Sequence, residues 1–157
     1  MNEIYLMGII TNRGMRDRFI AFFRQNDIHI TLTALGAGTA NSMILDYLGM
    51  EATEKAVYFS FVTPDVWKRL RKELYNRMHI DIPGRGIAFL IPLSSIGGKK
   101  ALNYLTACQD VRIEEESSLK GTDFELLITI ANAGHIETIM DAARSAHAPG
   151  GTVIHAK

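Results

Sequence analysis

Hydrophobic and polar residues alternate along this chain in blocks that mark out its elements. Residues 4 to 11 form an apolar run with β-branched members, as expected of a strand buried on at least one face. Asn12-Arg13-Gly14 is a turn signal, with Gly14 free to take positive φ. From Met15 to Gln25 the apolar residues Met15, Phe19, Phe22 and Phe23 recur at helical spacing, and Arg16, Asp17, Arg18 and Arg24 hold the wet face. A second strand is predicted over His29 to Thr33, followed by Gly36-Ala37-Gly38. A short helix from about Asn41 to Leu48 comes next, with Gly49 as its C-terminal cap. Val57 to Phe61 alternate as a third strand. Thr63-Pro64-Asp65 then reads as a helix start in which Thr63 caps, Pro64 fills the first position and Asp65 complements the dipole. That helix buries Val66, Leu70, Leu74 and Met78 at intervals of four, and Ile87 to Ile91 supply a fourth strand.

The order is therefore β-α-β-(insert)-β-α-β. With antiparallel strands and both helices on one face, that is an α+β, ferredoxin-like sandwich. The plan then begins again. A linking helix is predicted from Lys99 to about Cys108, then an exposed stretch containing Glu114-Glu115-Glu116, which reads as a solvated edge. Phe124 to Ile130, Asn132-Ala133-Gly134, a helix to about Ala146 and Gly151 to His155 repeat the strand, turn, helix and strand of residues 4 to 33, 120 positions later. Leu6/Leu126, Ile10/Ile130, Asn12/Asn132, Gly14/Gly134 and Arg24/Arg144 are identical in this register, and the shared periodicity points to a duplicated unit. The expected organisation is a complete module over 1–98, a linker over 99–121 and a partial second copy, β-α-β, over 122–157. An unfinished sheet leaves edges open. The second copy is expected to add to the first sheet, to pair with another chain, or to belong to a longer two-module protein.

Composition narrows the class. A chain of 157 residues with 47% hydrophobic content can build a real core. No apolar run approaches the roughly 18 residues that span a bilayer, and the N-terminus lacks a signal-like pattern. Seventeen basic residues balance seventeen acidic ones, so no global field favours nucleic acid or an anionic membrane. The single cysteine, Cys108, lies in an apolar stretch and reads as a small buried hydrophobe. A cytoplasmic protein is expected, with no membrane insertion.

Two glycine pairs carry the functional signal: Gly36-x-Gly38 after the second strand, and Gly84-Arg85-Gly86 before the fourth. Paired glycines let consecutive backbone N–H groups face an anion with no Cβ in the way. They are equally what tight turns at strand ends require. Within one chain the two pairs need not be neighbours, and they can meet across a subunit interface.

The sequence resembles the P-II-like family of nitrogen-regulatory signal-transduction proteins. The likeness rests on Ile10-Thr11-Asn12-Arg13-Gly14, Gly36-Ala37-Gly38, Pro83-Gly84-Arg85-Gly86-Ile87-Ala88-Phe89 and Gly150-Gly151-Thr152-Val153-Ile154-His155-Ala156-Lys157. It implies a trimer whose inter-subunit clefts bind an adenine nucleotide (ATP, ADP or AMP) as ligand, and a loop that relays the ligand state to a partner protein. Carried over by position, Gly36 and Gly38 with Thr39 are the loop base, and Gly84, Arg85 and Gly86 the phosphate-contacting turn. The chain departs from the family where Arg85 takes an acidic slot, Ile87 a lysine slot and Thr39-Ala40 an arginine-glutamine pair. An arginine can itself pair with phosphate. The missing glutamine, which helps hold magnesium and 2-oxoglutarate in typical members, argues against 2-oxoglutarate sensing.

No catalytic constellation accompanies these motifs. His29, His79, His135, His147 and His155 are scattered, with no H-E-x-x-H, and no serine stands in a G-x-S-x-G setting. The expectation is a non-catalytic regulatory protein without a resident cofactor or metal, forming a homo-oligomer. A trimeric divalent-cation tolerance-like metal-handling protein and a small enzyme on the same scaffold are the alternatives.

Overall fold

A computed structural model describes residues 4–37, 54–82, 85–106, 109, 126–148 and 150–156. The short helix expected over 41–48, Cys108 and the acidic run at 114–116 lie outside the described residues. The chain divides into two compact units, Met1–Ser118 with Ala156–Lys157, and Leu119–His155.

The first unit is an α+β structure on a four-stranded antiparallel sheet. Its elements are β1 (Tyr5–Asn12), a 3-10 turn (Arg13–Met15), α1 (Arg16–Gln25), β2 (Leu32–Ala37), β3 (Glu54–Val62), α2 (Pro64–Asn76), β4 (Gly86–Pro92) and α3 (Lys99–Leu105). The strands lie in the order β2-β3-β1-β4. Ile9 opposes Tyr58 on one side and Ala88 on the other, so β1 is paired along both edges. Helices α1 and α2 cover a single face. Their Phe19, Phe22, Phe23, Val66, Leu70 and Leu74 form one buried cluster with Met7, Ile9, Ala56, Tyr58 and Val62, which share one side of the pleat.

The ends of both helices follow local chemistry. Thr63 Oγ1 accepts from the Val66 N–H at 3.5 Å, with Pro64 in the first helical position as its sequence predicts. Helix α1 stops in a Schellman arrangement: Asp27 N–H donates to Arg24 O, Ile28 N–H to Phe23 O, and Asp27 takes φ 60. That turn drives Ile28 into the core. It also delays the second strand, which begins at Leu32 rather than His29 and takes in Gly36 and Ala37. The turn signalled by Asn12-Arg13-Gly14 is the 3-10 turn, in which Gly14 does not use its freedom to take positive φ. At the far end of β3, Gln109 Oε1 accepts from the Thr63 N–H at 2.9 Å while its Nε2 donates to Phe61 O at 2.8 Å.

Among its described residues the second unit contains one helix, α4 (Ile136–Ser145), whose bounds are those of α1 shifted by 120 residues. Its exit is the same motif: His147 N–H donates to Arg144 O, Ala148 N–H to Ala143 O, and His147 takes φ 63. Residues 126–130 and 151–155, expected as strands, form no ladder. A strand is defined by its partner, and among the described residues of this unit neither segment has one. Ala156, grouped with the first unit, makes an isolated antiparallel bridge to Ala34 of β2.

Four rings, Phe19, Phe22, Phe23 and Tyr58, pack together, with Phe19 stacked on Tyr58 at 5.7 Å and Phe23 edge-on to it at 5.4 Å. The Tyr58 hydroxyl is buried there with no hydrogen-bond partner among the described residues. Burial pushes its pKa up, against the lowering effect of Arg16 and with a further rise from Asp17. Tyr58→Phe is therefore expected to leave stability unchanged or raise it by about 1 kcal/mol. The raised native pKa means that stability is lost as pH climbs past the phenol's ordinary value of 10.0, because the unfolded chain ionises first. Denaturant midpoints at neutral and alkaline pH should show the variant lacking that part of the alkaline decline.

Candidate functional site

The described candidate residues, Gly36, Arg85 and Gly86, lie on one rim of the sheet, where β1 and β2 end and β3 and β4 begin. Across that rim Gly36 opposes Lys55, Lys55 opposes Asn12, and Thr11 opposes Gly86. Gly36 belongs to β2 and Gly86 to β4, the two outer strands. Three strand spacings separate them, about 14 Å. The described parts of the two glycine pairs thus occupy opposite edges of the sheet and share no cleft within one protomer. Gly38, Thr39 and Gly84 lie outside the described residues. Gly36 is a strand residue rather than the first residue of a loop, because β2 pairs with β3 as far as Ala37.

The turn leading into β4 is anchored by a residue outside the Gly84-Arg85-Gly86 motif. Thr11 is almost fully buried, and its hydroxyl donates to Arg85 O at 2.8 Å. The Arg85 N–H donates to Ile82 O at 3.1 Å. Both backbone groups of Arg85 are therefore engaged, and its amide is not a spare donor for an anion. What it offers a ligand is the guanidinium, which has no ion pair among the described residues. Gly86 is held by close approach: a Cβ there would lie 2.5 Å from the Ile10 carbonyl oxygen, 3.0 Å from Ile80 Cδ1 and 3.3 Å from Thr11 Cβ.

Charge on the rim comes from side chains. Lys55 Nζ donates to Asn12 Oδ1, and Arg13 pairs with Glu54 at 2.7 Å. Both members of the latter pair are largely exposed, so their contact adds little to stability. Among the described residues of this end of the sheet, Arg13, Lys55 and Arg85 stand against Glu54 and, in the turn before β4, Asp81. Sequence reasoning gave no site role to Lys55, nor to Thr11 and Arg13, although these two stand in the Ile10–Gly14 segment that carries the family likeness. The available signal was Thr11 itself, a polar residue at an inward-facing position of an otherwise apolar strand.

Among the described residues no group of three or more His, Cys, Asp or Glu side chains converges as a metal site. His29, His79, His135, His147 and His155 are all exposed. No helix of the described residues is long and apolar enough to cross a membrane. The chain matches no model of a known protein family, and no curated protein matches it.

Gly86→Ala is expected to cost about 1–3 kcal/mol, because the clash is with backbone and cannot be relieved by a rotamer change. A lowered denaturant midpoint with an unchanged slope would show it. An unchanged midpoint would mean that the start of β4 is free to move.

Proposed function

We propose that the first unit is a ferredoxin-like, P-II-like regulatory module, non-catalytic, that binds a small anionic ligand between protomers and passes its ligand state to a partner protein. An adenine nucleotide is the ligand that the motif likeness favours. Support for the fold comes from the β2-β3-β1-β4 order, with every pairing antiparallel and two helices on one face. The observation that carries the site is the placement of Gly36 and Gly86 on opposite edges of one rim. An assembly that brings the β2 edge of one protomer to the β4 edge of the next, as in a trimer, joins the two glycine corners into one cleft. The guanidinium and ammonium groups of Arg13, Lys55 and Arg85 on that rim supply attraction for phosphate or carboxylate oxygens. Ile87, 57% exposed beside Gly86 on the face away from the helices, adds apolar surface to such a contact.

In this reading Arg85 is the principal phosphate contact, through its guanidinium, and Thr11 positions it by holding its carbonyl. Charge-assisted contacts of this type contribute about 1.5–3 kcal/mol. Calorimetric titration with ATP, ADP, AMP and cyclic nucleotides, with and without magnesium, tests the proposal. Arg85→Ala should weaken the best ligand by roughly 10- to 100-fold, the equivalent of that contact. Affinity that does not change would move the site away from this turn, and no binding by any of these anions would remove the nucleotide reading.

A further inference from the structure

The second unit is built like half of a sandwich, and the first unit shows what the other half must look like. In the first unit β1 and β2 belong to one strand-helix-strand half, yet they are not neighbours: β3 lies between them. In the same way β1 lies between β3 and β4. Each half therefore leaves a slot one strand wide, and each half's first strand fills the slot of the other.

Residues 126–155 repeat the first of these halves. Helix α4 matches α1 residue for residue at the 120-residue offset, and both end in the same left-handed turn, at Asp27 and at His147. Residues 126–130 stand at the positions of β1 and residues 152–155 at those of β2. The difference lies in what covers them. Met7 is fully buried, but its counterpart Leu127 is 85% exposed; Leu6 is 4% exposed and its counterpart Leu126 76%. Ile128, Ile130, Ile136, Val153 and Ile154 are exposed as well. Gly151 nevertheless runs against the helix, since a Cβ there would lie 3.2 Å from Met140 Sδ. Among the described residues no strand lies in the slot of this half.

We infer that residues 126–155 pair with the same residues of a second copy of this chain, each first strand entering the other's slot. The resulting sheet has four antiparallel strands, with two helices on one face and a two-fold axis between the two copies of 126–130. That is the pseudo-symmetry already present between β1 and β3, made into true symmetry. The backbone groups of 126–130 gain partners on both sides, which strand addition to an open edge supplies. The seven exposed apolar residues amount to roughly 700 Å² per copy, or about 1,400 Å² in the pair, within the range of stable specific interfaces. A two-fold interface also needs only one kind of surface, and these residues repeat a half whose original counterpart closes in this way.

The full chain should be examined by analytical ultracentrifugation over a concentration series, with hydrogen exchange read at 126–130 and 151–155. Mass should double with concentration while those amides slow by roughly 100-fold. Leu127→Lys and Ile128→Lys should each halve the mass and return the segment to free exchange. The amides of α1 and α2 should stay protected in both variants, reporting that the first unit remains folded. Tyr75→Lys, at an exposed position on α2, should leave the mass unchanged. Any assembly through the first unit multiplies these masses but preserves the halving. Amides that exchange freely at the highest concentration, or a mass that neither variant alters, would overturn the inference. So would protection without a doubling of mass, which places the missing strand in the same chain.

Discussion

The architecture depends on one constraint of connectivity: a strand, a helix and a second strand that return to the same sheet without touching one another. Helix α1 carries the chain from β1 over one face and sets it down as β2, with room for one strand between. Helix α2 does the same between β3 and β4. Neither half has a ladder of its own, so every backbone hydrogen bond between strands is made across the halves or not at all. The pairing of β1 with β3 is therefore the contact from which the remainder is built. It aligns Met7 and Ile9 with Ser60 and Tyr58, creates the apolar face on which both helices dock, and places the two outer strands on opposite edges.

The same connectivity decides what the rim can do. Strand ends that are far apart in sequence, Thr11, Glu54, Lys55 and Gly86, come into a row because the strands pair, and one buried hydroxyl then ties the β4 turn to β1. With the Arg85 amide engaged by Ile82, the chemistry of the corner passes from main chain to side chain. Guanidinium and ammonium groups on flexible stems recognise anions by charge and adapt their geometry, whereas a backbone nest is fixed in place.

Much of the first unit was legible in its residues. The four-residue spacing of Val66, Leu70 and Leu74, and the Thr63-Pro64 start, express local rules that the fold does not override, whereas Met78, expected on the same helix, is buried from the turn beyond its end at Asn76. The limits of β2 were less legible. Its apolar pattern is weak, Ile28 is drawn off into the core by the helix exit, and its extent is set by pairing with β3 rather than by its own residues. The rim was legible only in part. The glycines are visible as letters, but Thr11 acquires its role from Arg85, seventy-four residues away, and the occupation of the Arg85 amide depends on how the preceding turn closes. In the second unit the apolar run at 126–130 reads as a strand, yet it forms no ladder, because a run of residues expresses a tendency and a strand needs a partner.

The left-handed residues at Asp27 and His147 bear on how such halves come together. Each turn closes over six consecutive residues and its hydrogen bonds use nothing distant in sequence, so the direction in which the chain leaves its helix is set locally. A half that emerges already aimed loses less freedom when its complement arrives than one that must first find its bearing. Glycine at either position would relieve the local backbone but would also widen the choice of exits, trading a small strain for a slower and less certain encounter.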